Sequence, residues 1–189
     1  NTHRENQVIP ESVDRVDGES LNNINSNFVD ADIAILDTGI DLDHADLNVF
    51  HERSFIPGTI NADDDHGHGT HLAGVAAAKD NSFGVVGIAP GARLWAIKVL
   101  DSSGTGEIST LIKGLDYINQ KPNQVDVAVL SLACECESGA FDIAIHNSVK
   151  AGSTIVVAAG NEGKDARTFT PANNPEVITV SAIADTDGK

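Results

Sequence analysis

The sequence is short of several residue types, and each shortage excludes a class of protein. Its 189 residues contain no methionine, two cysteines and 4% aromatic residues. Two cysteines cannot form a disulfide framework, so the fold must depend on an apolar core, for which this length is sufficient. No apolar run approaches the roughly 20 residues of a membrane-spanning helix, and the first residues show no signal-peptide pattern. Because methionine is absent even at position 1, we expect a processed N-terminus.

Basic residues are also scarce. Twelve Lys and Arg residues stand against 28 Asp and Glu residues, which gives a formal net charge of −16 at pH 7. A surface of that sign repels polyanions, so we expect neither nucleic acid nor a membrane as a partner. The same charge suits a solvated surface, a salty environment or the binding of cations.

Short apolar runs that alternate with helix-like segments make up most of the chain. The runs are rich in β-branched residues and nearly continuous in hydrophobicity, which is typical of strands buried on both faces. They occupy residues 31–36, 92–100, 125–132, 153–159 and 176–183. Apolar residues at helical spacing lie between them, at residues 68–79, 106–119 and 140–152. This order predicts one α/β domain over residues 1–189: a three-layer, doubly wound, mostly parallel sheet with helices on both faces.

Parallel sheets build their sites at the carboxyl ends of strands, and the first such end here is Asp37-Thr38-Gly39. The triplet Asp-Thr-Gly also occurs in aspartic proteases. That chemistry needs two carboxylates sharing a proton on a β-rich scaffold, and the chain contains no second copy. An aspartic protease would therefore require self-association, and Asp37 alone is equally compatible with a plain turn.

Three histidines follow a run of three aspartates: His66, His68 and His71. A cluster this dense either binds a metal or transfers protons. The spacing His-x-His-x-x-His is close to that of metallo-β-lactamase-type zinc sites, but Thr70 stands where that motif has an aspartate. Only His146 is available downstream as a further histidine ligand. The segment by itself favours neither alternative, and a metallohydrolase stays open at this point.

A third strand end leads through small residues to Asn161, which follows Gly160 in a tight turn. A side-chain amide held on such a turn is a fixed donor for the oxyanion that develops in acyl transfer. The alternative is a glycine-rich turn in which Asn161 adopts a left-handed conformation.

Together these strand ends resemble the motifs of the subtilisin-like serine proteases, in that family's order: AILDTGID, HGHGTHLAG and VVAAGNEG. Intervening segments are also similar, and the likeness extends from Gln7 onward. The resemblance implies a subtilisin-like fold and a secreted serine endopeptidase made as a zymogen. It assigns the general base to His68, the orientation of its ring to Asp37, and donation to the oxyanion to Asn161.

The resemblance also implies how a polypeptide substrate would bind. An extended peptide would pair with two segments, Ser103-Gly104-Thr105-Gly106 and Ser131-Leu132-Ala133. Small residues would wall the first specificity pocket, namely Ala133, Ala158 and Gly160. We expect His66 to face this cleft and His71 to be hydrogen-bonded within the core.

Calcium is the cofactor that the resemblance implies, because AAKDNSFGVVGIAP is similar to the family's calcium-binding loop. Side chains from three separate segments would supply ligands, together with backbone carbonyls of the loop. The side chains are those of Gln7, Asp46 and Asn81, and the carbonyls are those of Lys79, Phe83 and Val85. A mixed all-oxygen set suits this hard cation; a plain surface loop is the alternative.

The chain departs from the family pattern because it lacks the nucleophile motif Gly-Thr-Ser. We expect it to be inactive alone. Either a C-terminal fragment of the same protein carries the serine, or the chain is part of a longer one, or it is a non-catalytic peptide-binding homologue. A propeptide or protein inhibitor is a further partner that the resemblance implies.

Cys134 and Cys136 are a second departure, since they replace the small residues expected after the second substrate segment. Residues two apart on a strand lie near the upper limit of disulfide geometry, so a direct bridge would be strained. Free thiols, bridges to another segment and a two-cysteine metal clip are the alternatives.

Overall fold

A computed structural model of the chain describes residues 7–16, 28–121 and 124–183, and in these residues the apolar runs form strands of one sheet. The strands are β1 Asp32–Asp37, β2 Val49–Ser54, β3 Arg93–Lys98, β4 Val127–Leu130, β5 Thr154–Ala158 and β6 Ile178–Val180. Their order is β2-β3-β1-β4-β5-β6, and every neighbouring pair is parallel. The prediction of a parallel α/β sheet is confirmed.

The helices fall where the periodicity places them, within about two residues at each end. They are α2 His68–Ala77, α3 Ile108–Asn119 and α4 Gly139–Lys150, preceded by the single-turn α1 Glu11–Arg15. Ser138 begins α4 by accepting a hydrogen bond from the Phe141 N–H, and Gly152 ends it at φ 104°. Among the described helices, none has the length and apolar character needed to cross a bilayer.

Strand β2 and helix α1 were not predicted. Strand β2 lies at one edge of the sheet, where its residues are only partly buried. Its sequence VFHERS can therefore mix charged with apolar residues. Helix α1 has five residues, too few to show a helical period. Both elements lack the signal by which the other elements were found.

Helices cover both faces of the sheet, which gives the three layers. Successive residues of β1 point to opposite faces, and all six are buried. Ala34 and Leu36 belong to a core formed with α3 and α4, whereas Ile33 and Ile35 belong to a core formed with α2. Because β1 is buried on both sides in the middle of the sheet, its carboxyl end is a rigid support for whatever follows it.

The carboxyl ends of β1, β4 and β5 meet at the same edge of the sheet, since these three strands are parallel neighbours. Adjacent strands lie about 4.8 Å apart. Residues that follow these strands, including Thr38, Ser131 and Ala159, therefore emerge side by side. This edge is where the sequence predicted a site.

Helix α4 offers a matched test of the core. Ile145 is fully buried, whereas Ile143, two residues earlier, is 63% exposed. We expect Ile145→Ala to lower the free energy of unfolding by about 2–5 kcal/mol, because it leaves a cavity. Ile143→Ala should change it by less than about 0.5 kcal/mol. Urea unfolding of both variants measures the difference, and equal losses would show that α4 does not pack on the sheet through this face.

Candidate active site

A carboxylate and an imidazole meet at the end of β1. Asp37 is the last residue of the strand, and its side chain is fully buried. His68 is the first residue of α2, and its Nδ1 lies 2.7 Å from Asp37 Oδ1. With Nδ1–H donating to the carboxylate, the other ring nitrogen, Nε2, is the proton acceptor. The His68 side chain is 39% exposed, so the pair combines a buried anchor with an accessible base.

The Asp37 carboxylate is held by its own turn as well. The Thr38 N–H donates to Asp37 Oδ1 at 2.7 Å. Asp37 Oδ2 is buried and has no hydrogen-bond partner among the described residues. The hydrogen bonds of this buried carboxylate within the described residues therefore come from the Thr38 N–H and the His68 ring.

Two glycines allow these elements to approach so closely. A Cβ on Gly69 would lie 2.0 Å from the Gly39 carbonyl oxygen and 3.3 Å from Asp37 Cβ. Gly39 has φ 107°, and a Cβ there would lie 2.3 Å from the Ala62 carbonyl oxygen. Both glycines are therefore required sterically: a side chain on Gly69 would push the helix off the turn, and one on Gly39 would collide with the backbone at Ala62.

Lys98 supports the same turn from β3, where it lies opposite Asp37 in the strand register. Its side chain is 1% exposed, and Nζ donates to the Thr38 carbonyl at 2.5 Å and to Asp65 Oδ1 at 2.6 Å. This residue was not predicted from the sequence. The available signal was a lysine inside the apolar run LWAIKVL, where a buried charge requires a partner.

The two predicted substrate segments face each other across a pocket of about 200 Å³. Its lining includes Gly104 and Gly106 from the first segment and Leu132 and Ala133 from the second. Asp101 shapes the first segment, because its Oδ1 accepts from the N–H and hydroxyl of Ser103 at 2.9 and 2.6 Å.

His66 lies against the first segment, next to Gly104. A Cβ built on Gly104, which has φ 74°, would be 3.2 Å from His66 Nε2. The rings of His66 and His68 are 6.3 Å apart. The imidazole of His66 is thus close both to His68 and to the segment that begins at Ser103.

The remaining predicted residues follow β4 and β5 at the same edge. Ser131 comes directly after β4, and Ala158 is the last residue of β5. Gly160 has φ 101°, and beyond it the Asn161 N–H donates to the Glu162 carboxylate at 2.8 Å. Asn161 is exposed on this turn. Strand β5 is two positions from β1 in the sheet.

The predicted calcium ligands come together beyond the C-terminal end of α2. Gln7 Nε2 donates to the carbonyls of Lys79 and Val85 at 2.7 and 3.2 Å. Asn81 Nδ2 donates to Asp46 Oδ1, and the Phe83 N–H donates to Asn81 Oδ1 at 2.9 Å. The Asn81 N–H donates to Gln7 Oε1 at 3.2 Å and joins these two groups, so all six residues belong to one hydrogen-bonded cluster.

The chemistry of this cluster fits a hard cation. Asp46 is 3% exposed, and a Cβ on Gly84 would lie 2.5 Å from its Oδ2, so the carboxylate is cradled by backbone. The groups that could bind the ion are a carboxylate, two side-chain amides and main-chain carbonyls, and calcium prefers oxygen ligands of these kinds. The side-chain amides of Gln7 and Asn81 would have to turn their oxygens inward to take part.

Comparison with known proteins identifies the family. The sequence model of the Subtilase family matches residues 30–189. The chain belongs to the subtilase family. This confirms the resemblance seen in its three motifs and agrees with the parallel sheet.

Several subtilases are similar over nearly all of the chain. Subtilisin E of Bacillus subtilis (strain 168) is 38% identical over 185 residues, which cover 96% of this chain and 48% of that protein. Subtilisin of Bacillus pumilus is 38% identical over 181 residues, covering 94% and 65%. Subtilisin Savinase of Lederbergia lenta is 38% identical over 176 residues, covering 93% and 64%. The chain thus spans about half to two thirds of the length of these relatives.

One prediction about the histidines was wrong. His71 is exposed on helix α2 and is not part of the core. The buried positions of α2 are Gly69, Ala73 and Ala77, a spacing of four that places residue 71 on the opposite side. Within the described parts of the chain, no three His, Cys, Asp or Glu side chains are grouped so as to hold a metal ion.

The two cysteines form a disulfide with each other, which decides among the alternatives left by the sequence. Their Cα atoms are 5.3 Å apart. Cys134 also pairs with Thr170 through two backbone hydrogen bonds of 2.9 Å, and the Thr170 hydroxyl donates to the Cys136 carbonyl. The loop after Ala133 is thereby tied to the segment that leads into β6.

Helix α2 supplies a matched pair of glycines to test the packing of the site. Gly69→Ala should lower the free energy of unfolding by about 1–3 kcal/mol or more, because its Cβ would overlap the Gly39 carbonyl. Gly74→Ala, in the same helix, meets no atom within 4 Å and should raise it by up to about 1 kcal/mol. Urea unfolding measures both. If Gly69→Ala were as stable as Gly74→Ala, the close contact with the turn would be refuted.

Proposed function

We propose that this chain is the portion of a subtilase serine endopeptidase that carries the base, its orienting carboxylate and the oxyanion donor. The observation that supports this most directly is the 2.7 Å hydrogen bond from His68 Nδ1 to the buried Asp37 carboxylate. In the proposed mechanism Nε2 of His68 takes the proton of a serine hydroxyl as the oxygen attacks the peptide carbonyl. His68 later delivers that proton to the leaving amine, while Asp37 holds the ring and stabilises the imidazolium.

Asn161 is the proposed oxyanion donor. It emerges from the turn after β5, at the sheet edge where Asp37 ends β1. Its side-chain amide would donate to the tetrahedral oxygen. Loss of such a donor costs about 10²–10³ in turnover, a magnitude that comes from mutagenesis of subtilisin, a member of this same family.

A polypeptide is the proposed substrate. The two segments beginning at Ser103 and Ser131 flank one pocket, which suits an extended peptide whose backbone lies between them. The first specificity pocket would be walled by the small residues Ala133, Ala158 and Gly160. A propeptide or protein inhibitor would occupy the same two segments.

For a peptidase, the proposed source of the nucleophile is a further segment of the same protein, as a separate fragment or as part of a longer chain, because Gly-Thr-Ser is absent here. Exposed apolar residues on β6, the outermost strand of the sheet among the described residues, are consistent with such a partner segment. Ile178 and Val180 of the edge strand β6 are 55% and 53% exposed. Apolar residues of a sheet edge are normally covered.

A fluorophosphonate probe tests the proposed activity in the full-length protein, serine segment included. We expect the wild type to react and His68→Ala to be inert. Asp37→Asn should lower kcat by about 10⁴, because it favours the wrong tautomer of His68. The control is His71→Ala, which removes an exposed histidine from the same helix and should leave the reaction unchanged.

Other outcomes identify the rival functions. A wild-type protein that binds peptides and never reacts with the probe would be a non-catalytic homologue. A zinc hydrolase would lose its activity to a zinc chelator and would depend on His71 as much as on His68.

We propose calcium as the cofactor of the cluster formed by Gln7, Asp46, Lys79, Asn81, Phe83 and Val85. Bound there, the ion would cross-link the first described residues to the loop after α2. The presence of a disulfide supports an oxidising, extracellular location, where such bonds persist. Secretion is therefore part of the same proposal.

Thermal unfolding with and without calcium tests the cofactor. At a calcium concentration about 100 times its Kd, the free energy of unfolding should rise by about 2.7 kcal/mol. Asp46→Asn should abolish this response, since it removes the buried carboxylate of the cluster. Asp43→Asn, a change at a nearby exposed position, is the control and should preserve it. A wild-type Tm insensitive to calcium would contradict the site.

A further inference from the structure

Asp64 accepts more hydrogen bonds than the Asp37 carboxylate nearby, although neither Asp37 nor the His68 ring is among its partners in the described part of the chain. Its Oδ1 accepts from the Thr38 hydroxyl at 2.8 Å and from the N–H groups of His66 and Gly67 at 3.0 and 2.9 Å. Its Oδ2 accepts from the N–H and hydroxyl of Thr70 at 2.9 and 2.5 Å. Five donors thus converge on one half-buried carboxylate.

Two of these donors are hydroxyls that bridge the elements of the site. The Thr38 hydroxyl accepts from the Gly69 N–H at 3.0 Å, and the Thr70 hydroxyl accepts from the Asp41 N–H at 2.9 Å. Each hydroxyl therefore joins the turn after β1 to the first turn of α2, once in each direction.

The carboxylate determines how both hydroxyls are oriented. An ionised carboxylate only accepts hydrogen bonds, so both hydroxyl hydrogens point to Asp64 and their lone pairs are left for the backbone N–H groups. Replacing one of its oxygens by a group that donates would leave one of the two hydroxyls without its acceptor and so disturb at least one bridge. Geometry alone makes Asp64 the common anchor of the two elements.

We propose that Asp64 is a positioning residue, which sets the His68 ring against Asp37 by anchoring the start of α2 to the turn after β1. This inference rests on the proposed function, in which His68 is the base. Asp64 takes no part in proton transfer itself. Its effect on the reaction passes through the position of the helix that begins at His68.

Asp64 is ionised wherever the site would work. Burial raises its pKa, but hydrogen bonds from the Thr70 hydroxyl and from the N–H groups of Gly67, Thr70 and His66 lower the pKa far below its usual range. A lowered pKa in the folded state contributes stability that is present above the unfolded value and lost only as the pH falls through the folded value. At neutral pH the anchor is therefore intact.

Asp64→Asn tests the proposal, since it keeps the shape and turns one acceptor into a donor. In this chain, we expect the low-field NMR signal of the His68 Nδ1 proton, which the Asp37 hydrogen bond protects, to weaken or vanish while the chain stays folded. In the full-length protein kcat should fall by about 10²-fold, the cost of a misplacement near 1 Å, and KM should change little. The neighbouring exposed Asp63→Asn is the control and should change neither readout.

Hydroxyl deletions keep the test decisive if Asp64→Asn does not fold. Thr70→Val removes one bridge and should reproduce part of the loss, whereas Thr70→Ser retains the hydroxyl and should restore both readouts. If Asp64→Asn does fold, adding Thr70→Val to it should lower kcat and the NMR signal little further, because the two changes act on one network.

The two proposals can fail separately. If Asp64→Asn and Thr70→Val leave the NMR signal and kcat at wild-type values, the positioning role is refuted and the peptidase stands. If the wild-type full-length protein never reacts with a fluorophosphonate, the peptidase is refuted, and the NMR signal of the chain still decides whether Asp64 positions His68.

Discussion

The site depends on a carboxylate buried at the end of a central strand. Asp37 has no solvent exposure, and taking an anion out of water is costly unless hydrogen bonds and opposite charge compensate it. Here the compensation comes from the Thr38 N–H and from His68, while Lys98 holds the carbonyl of the same turn. The Asp37 carboxylate therefore holds both the turn and helix α2 against the strand, and this fixes the position of the His68 imidazole.

The rest of the architecture makes this arrangement rigid. Strand β1 is buried on both faces and is paired on both edges, by β3 and β4. Helix α2 packs on it through small residues, and the contact of Gly69 with Gly39 brings the helix as near as backbone allows. With both elements so closely packed, the proposed role of the hydrogen-bonded network around Asp64 is to fix their relative position.

Most of the sheet was predictable because its strands are continuous apolar runs, and α3 and α4 because their apolar residues recur at helical spacing. Strand β2 was missed because an edge strand tolerates charged residues. His71 was misplaced because four-residue spacing on a short helix is hard to assign when nearly every residue is small. The roles of Lys98 and Asp64 were not predicted, because their contacts are distant in sequence. Lys98 binds Asp65, 33 residues away, and Asp64 binds Thr38, 26 residues away, and no local sequence pattern indicates such contacts.

The exposed strand β6 has a consequence for how the sheet can be extended. It is the last strand of the sheet among the described residues, and its Ile178 and Val180 are open to water. Backbone groups on an uncovered edge can pair with any extended segment that reaches them. That edge is therefore the place where a further extended segment of the same protein would continue the sheet.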